Sequence, residues 1–346
     1  MRLFTLGAKR NFRAVSAFTV ALIFFAPFAR SQGVSAAANG AQAQLLDLSA
    51  IKHVVFIVRE NRSFDNLFGT FPGANGATQG TLSTGQVVPL KPAPDAYAHD
   101  ICHGWGCFIQ AIDNGKMDGF DLLEIGSPCN LNGDYECYTQ QHQSDLPNYW
   151  NYATNFVLAD NFFTSTKAST TPNHLYTVGA QGAGVVTNAP AGCDSPSNIV
   201  LAVIDNKGNF SAQFPCIDMP TLMDELESAG VSWQYYANTK TPFNSMQLIS
   251  HLRFGPLWSK NVSDQAFISD VQNGRLPQVS WLMATGEATD HPPYSLCFGE
   301  NYTVNAVNAI MNSQYWTVEP TAIFIVWDDP GGLYDHVAHL SWISSA

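Results

Sequence analysis

Residues Ile51–Gly69 read IKHVVFIVRENRSFDNLFG. The unbroken β-branched and aromatic run Val54–Val58 is the pattern of a strand buried on both faces, as in a parallel sheet. It stops abruptly at Arg59-Glu60-Asn61-Arg62, where an ordinary turn would supply Gly, Pro or Asp-Gly. An apolar strand that delivers an acid and an amide to its carboxyl end decides the fold reading. In open α/β sheets, ligands bind in the crevice beyond that edge.

The rest of the chain repeats the theme. Strand-like runs at VSWQYYA (231–237), LPQVSWLMA (276–284) and TAIFIVWDD (321–329) alternate with helical patterns. Those patterns are DLPNYWNYATNFVL (145–158), a helix beginning after Pro172, MPTLMDELESAG (219–230), VSDQAFISDVQNG (262–274) and NYTVNAVNAIMNS (301–313). Strands alternating with helices of about ten residues predict an α/β, doubly wound, mostly parallel sheet flanked by helices. Residues 185–216, with IDNKGNF as their turn, read as a hairpin insertion, and Thr70–Asp95 as a long surface loop.

Three strand ends then carry polar residues toward one edge: Glu60 and Asn61; Glu287, Asp290 and His291; Asp328 and Asp329, with Asp335 and His336 close behind. Each alone reads as a cap, a turn or a structural histidine. Their coincidence suits metal-assisted hydrolysis. Glu60, Asn61, Asp328 and Asp329 offer oxygen ligands for Ca²⁺, Mg²⁺ or Mn²⁺, with Fe or Zn if a histidine joins. A nucleophile fits KASTTPNHLY (167–176), where Pro172 favours a helix start and leaves Ser169, Thr170 and Thr171 at its mouth. A helix N-terminus favours an attacking alkoxide and the phosphate it captures; an ordinary Ser/Thr cap is the bland alternative.

Composition narrows the class. Arg2, Lys9, Arg10, Arg13 and Arg30 are the only charges in residues 1–40, so the remainder is more acidic than the whole chain's net −12. Such a surface repels nucleic acid, and no basic cluster offsets it. A basic start, an apolar stretch Ala14–Ala29 and small residues to Ala38 have the layout of a secretory leader. Residues 1–37 are then a signal peptide, faintly twin-arginine in type at Lys9–Phe12, with an uncleaved anchor as the alternative. Export to the periplasm or beyond suits the seven cysteines. Cys102 and Cys107, Cys129 and Cys137, and Cys193 and Cys216 lie close enough to staple loops, with Cys297 left over, although spacing alone does not fix connectivity.

Five segments, HVVFIVRENRSFDNLFGTFPG (53–73), HGWGCFIQAIDNGKMDGF (103–120), LADNFFTSTKASTTPNHLY (158–176), DHPPYSLCFGENYTVNAVNAIMNSQYW (290–316) and TAIFIVWDDPGGLYDHV (321–337), together resemble the bacterial phosphoesterase family. That family holds phosphatidylcholine-type phospholipases C and an acid phosphatase, on a fold related to alkaline phosphatase. The resemblance implies one catalytic domain over 38–346. Glu60, Asn61, Asp328 and Asp329 are the implied metal ligands, Thr170 the nucleophile, and His103, His291 and His336 the groups that contact phosphate or act as acid. KASTTPN replaces the family's usual Gly-Pro before the nucleophile, so Ser169 and Thr171 stay beside Thr170 as alternatives. Family members continue well past the YDHV segment, soon after which this chain stops, so the expectation is a shortened member whose activity the missing elements would affect. The implied substrate is a phosphoester, a phospholipid at a membrane surface first, with Trp105, Tyr149, Trp150 and Tyr235 as candidates for a head-group pocket. The alternatives are an acid phosphatase acting on monoesters and an inactive binding protein of the same fold.

Overall fold

The structure is a computed structural model that describes residues 21–24, 48–124, 128–238 and 244–338. Among them a seven-stranded sheet forms the spine. Its strands are β1 Ala21–Phe24, β2 His53–Arg59, β3 Val157–Leu158, β4 Trp233–Tyr236, β5 Asn261–Val262, β6 Val279–Met283 and β7 Thr321–Trp327, in the order β5-β4-β6-β2-β7-β1-β3. β5, β4, β6, β2 and β7 run parallel, and β1 is antiparallel to β7 and β3. The doubly wound parallel sheet expected from the sequence is present. The 1–37 leader lies outside the described residues apart from β1, as does the chain beyond Ala338.

Helices cover the sheet. α1 is Phe64–Phe68, α2 Trp105–Ile112, α3 Pro147–Asn155, α4 Thr170–Gly179, α5 Leu222–Ser228, α6 Ala266–Gln272 and α7 Leu296–Met311. Local chemistry explains their limits. Thr221 caps α5 in a capping box with Asp224, and Ser295 caps α7 through Phe298 N. Pro147 opens α3, where a missing N–H costs nothing. On one sheet face Val55, Ile57, Leu282, Ile323 and Ile325 pack under α3 and α7; on the other Val58, Trp233, Tyr235, Trp281 and Met283 pack with Leu175 and Val178 of α4. Phe56, Phe324 and Val326 on the second face are only half covered and line a cavity with Tyr176 and Leu222. The hairpin insertion forms as Leu201–Ile204 and Phe210–Gln213. Disulfides join Cys102 to Cys107, Cys129 to Cys137 and Cys193 to Cys216, and Cys297 is free.

One buried ion pair ties the strand ends together. Arg59, fully buried, donates Nε (3.2 Å) and Nη2 (2.5 Å) to Asp290, and Nη2 also reaches the Ala288 carbonyl. Tyr149 Oη and Trp327 Nε1 each donate to Asp290 Oδ2 at 3.1 Å. The pair is possible because residue 299 is glycine: a Cβ there would lie 1.8 Å from Asp290 Oδ1. Removing one partner of such a pair strands a charge away from water. Asp290→Ala should therefore lower unfolding free energy by about 3–5 kcal/mol, read as a lowered denaturant midpoint.

Candidate active site

Parallel pairing assembles the site. β2 and β7 are in register from His53 opposite Thr321 to Arg59 opposite Trp327. The next residues of each strand, Glu60-Asn61 and Asp328-Asp329, therefore emerge side by side. Asp328 N donates to Arg59 O at 3.0 Å, which carries the ladder one step further. The chain then turns sharply. Asn61 sits at φ 63°, a left-handed conformation that Asn tolerates better than bulkier residues. Its N–H and that of Asp329 both donate to Asp328 Oδ1, at 3.1 and 2.8 Å. Gly331 N donates to Asp329 Oδ1, and a Cβ on Gly331 would lie 2.5 Å from the Asn61 carbonyl oxygen. The DPGG segment thus makes the close approach of the two strand ends possible.

What remains is a set of buried oxygens without hydrogen-bond partners: Asn61 Oδ1, Asp328 Oδ2, Asp329 Oδ2 and Thr170 Oγ1. Burial, then Asp328 and Asp329, push the Glu60 carboxyl well above its ordinary range, and burial and Asp328 do the same to Asp329. Buried acceptors without donors are rare in folded proteins. Oxygens gathered round acids that resist ionising fit a hard divalent cation. The residues expected as ligands are brought together.

Thr170 is the first residue of α4, and Ser169 is its N-cap. The Thr171 hydroxyl accepts from Ala189 N at 3.1 Å, so it is engaged in holding the loop. Of the two threonines at the helix mouth, Thr170 is the one whose buried hydroxyl lacks a partner. His174, one turn further along the same helix face, has Nε2 3.5 Å from Asp328 Oδ2. Sequence reasoning missed His174, although its i+4 spacing from Thr170 was the signal.

His103 and His291 stand at the rim with ring centroids 5.4 Å apart. His103 Nδ1 must donate to the Ile101 carbonyl at 2.6 Å, so its Nε2 accepts from Asn61 Nδ2 at 2.9 Å. That leaves Asn61 Oδ1 for the cradle. His291 Nδ1 bonds the Pro292 carbonyl, leaving Nε2 with its lone pair, and burial pushes its pKa down despite Asp100. Asp100, also missed from the sequence, lies 3.5 Å from His103 Nδ1.

His336 goes elsewhere. Its N–H and Nδ1 both contact Asp65 Oδ2 of α1 at 2.7 Å, and its Nε2 lies 3.3 Å from Asn75 Oδ1. Asp65 Oδ1 accepts Ala77 N, and the Asp335 oxygens accept Phe64 N and Val337 N. With every carboxylate oxygen satisfied, Asp65, Asp335 and His336 form a latch between α1 and the segment after β7. Glu287 is exposed, and Asp290 is the partner of Arg59. Tyr149, Trp150 and Tyr235 are core residues, so of the four aromatics considered for a head-group pocket only Trp105 is outside the core. An apolar cavity does open at His103, between Phe108, Phe120, Phe162 and Phe163, with Arg62 and Asp160 on its wall.

The Phosphoesterase family model matches residues 51–343, which take in this whole site. The chain belongs to the Phosphoesterase family. It is similar to a non-hemolytic phospholipase C of Burkholderia pseudomallei, at 29% identity over 95% of this chain and 51% of that protein. It is also similar to phospholipase C A of Mycobacterium tuberculosis, at 28% identity over 84% of this chain and 60% of that one. A more distant match is non-specific phospholipase C4 of Arabidopsis thaliana, at 25% over 83% and 55%. The chain thus spans about half the length of the curated relatives it matches.

The cluster carries a stability signature. Glu60 and Asp329 have folded-state pKa values above their ordinary ones, so without a cation their contribution is present at acidic pH and is lost as pH rises through the folded values. A divalent cation should therefore raise the melting temperature by several degrees at pH 8 and much less at pH 5. Asp329→Asn should shrink the pH 8 shift, as calorimetry would show. Separately, burial and Asp65 push Asp335 up to about 7 from 3.8, so its stabilising contribution falls across that interval; Asp335→Asn should flatten the stability–pH curve there.

Proposed function

We propose that this chain is an exported, metal-dependent phosphoesterase of phospholipase C type that works through Thr170. The observation carrying the reading is the unpartnered Thr170 hydroxyl at the mouth of α4, the helix whose His174 Nε2 lies 3.5 Å from the orphaned Asp328 Oδ2. That the relatives are phospholipases C supports the diester preference, and the apolar cavity at His103 suits an organic group on the phosphate. The basic and apolar start of the chain and its three disulfides support export.

Glu60, Asn61, Asp328 and Asp329 would hold the divalent ion. When bound, it supplies charge stabilisation to the phosphoryl oxygens and lowers the pKa of a hydroxyl. The chain's own groups do the rest. Thr170 Oγ1 forms a bond to phosphorus, and the bond from phosphorus to the glycerol oxygen breaks in line with it. His291, held neutral with a bare Nε2, takes the threonine proton and returns it to the departing alkoxide. The N–H groups at the start of α4 stabilise the developing negative charge. His103 holds Asn61 in the orientation that aims its carbonyl oxygen at the cradle. Water then attacks the phospho-threonine, releases the phosphorylated head group and restores the hydroxyl.

Parallel hydrolysis of a chromogenic phosphate monoester and a phosphocholine diester, with and without chelator, tests this. Turnover of the diester should exceed that of the monoester and disappear on chelation. Thr170→Ala should lose at least about a thousandfold in turnover with an unchanged melting curve. Preferential monoester turnover would make the chain an acid phosphatase. No turnover of either ester by a folded, cation-loaded chain would make it a binding protein. Unchanged turnover in Thr170→Ala would remove the nucleophile assignment.

A further inference from the structure

We propose that the outward face of the hairpin insertion, with Trp105 and Ile109, is a docking surface for a zwitterionic phospholipid bilayer. The choice of partner rests on the phospholipase reading. In the hairpin, Ile204 is paired with Phe210 and Ala202 with Ala212. Paired residues share a face and faces alternate along a strand, so these four lie on one side, and Val200 and Phe214 continue the alternation. All six positions are apolar. Val200 is 55% exposed, Phe210 54% and Phe214 40%. On the opposite side the first strand is turned inward: Leu201 is fully buried and half-buried Val203 packs on the same core cluster. An antiparallel hairpin packed on one face normally presents polar residues on the other. Here the outer face is apolar at all six positions and faces solvent, while the polar Ser211 and Gln213 stand on the other side.

The face is continuous with the catalytic rim. The Phe210 ring meets the Trp105 ring edge-on, with centroids 5.1 Å apart. Trp105 opens α2 two residues after His103, the residue that orients Asn61. Ile109, one turn further along α2, is 41% exposed. Apolar surface therefore leads from the hairpin to the edge of the site where a lipid phosphate would be presented. The Cys193–Cys216 disulfide clamps the hairpin at its base, so the surface is held in place relative to that rim.

Charge selects the kind of surface. Between Ser195 and Phe214 the only charged residues are Asp205 and Lys207, which cancel, within a chain of net −12. Docking on an anionic membrane calls for clustered Lys and Arg, and the hairpin has none. A zwitterionic interface asks only for apolar and aromatic side chains at head-group depth, which this face supplies.

The test compares the full chain with its Val200→Ser/Phe210→Ser double variant and with Phe210→Trp. Each is sedimented with phosphatidylcholine vesicles and with vesicles rich in phosphatidylglycerol, run on gel filtration, and assayed on a soluble phosphocholine ester. The full chain should sediment with phosphatidylcholine vesicles, and the double variant should partition at least about tenfold less. Phe210→Trp should retain binding, while turnover of the soluble ester and elution volume stay unchanged throughout. Equal partition of all three proteins would overturn the proposal, as would preference for the anionic vesicles. So would a dimer lost in the double variant, which would give the face to a second copy. If no protein turns over the soluble ester yet the vesicle difference persists, the docking surface stands and the hydrolase reading falls.

Discussion

Half-buried Glu60 and the buried Asp328 and Asp329 are held together by the parallel register of two strands, and much of the site's design answers the cost of that arrangement. Like charges in a low-dielectric interior repel strongly, and each also loses its hydration. The chain answers in part with backbone donors, since Asn61 N and Asp329 N converge on Asp328 Oδ1 and Gly331 N reaches Asp329 Oδ1. These bonds satisfy one oxygen of each aspartate and leave the other, like the Asn61 amide oxygen, without a hydrogen-bond partner. A structural cluster would satisfy both oxygens, as the Asp65–Asp335–His336 latch does. The contrast between these two acidic clusters in one molecule is what supports proposing the first as the cation site.

The strained cradle is supported from below by a charge pair that touches no candidate ligand. Arg59 and Asp290 cross-link the ends of β2 and β6, with Tyr149 of α3 and Trp327 of β7 bonded to the same carboxylate. That network fixes the depth at which Glu60 emerges. The two arginines flanking Glu60-Asn61 play different parts. Arg59 is an internal tie, whereas Arg62 stacks over Tyr97 and donates to the Asp290 carbonyl while bordering the cavity at His103.

Much of this was legible in the residues. The apolar runs at 54–58, 279–283 and 321–327 have no polar alternation, so they had to be buried on both faces, which in a chain alternating strands with helices means a parallel sheet. A parallel sheet puts all its strand ends on one edge, and Glu60, Asn61, Asp328 and Asp329 follow from that alone. The helix start at Pro172 was likewise legible, although the helix begins two residues earlier, at Thr170. The short partner strands Val157–Leu158 and Asn261–Val262 were less legible, because two residues carry no periodicity.

Sequence by itself determined which chemistry could gather at the sheet edge, because strand patterning and residue type are local properties. It did not determine which polar residue plays which part. His336 follows Asp329 closely along the chain, yet a turn through Gly331 and Gly332 carries it to Asp65, while His174 and Asp100 arrive from other segments. Tyr149, Trp150 and Tyr235 look like ligands for a cation and are core. The hairpin's six apolar positions look like ordinary strand alternation until pairing puts them on one face and Leu201, already buried, on the other. Such distinctions depend on register, on backbone turns at positive φ and on what each side chain meets across the fold, and those are settled only when distant segments pack.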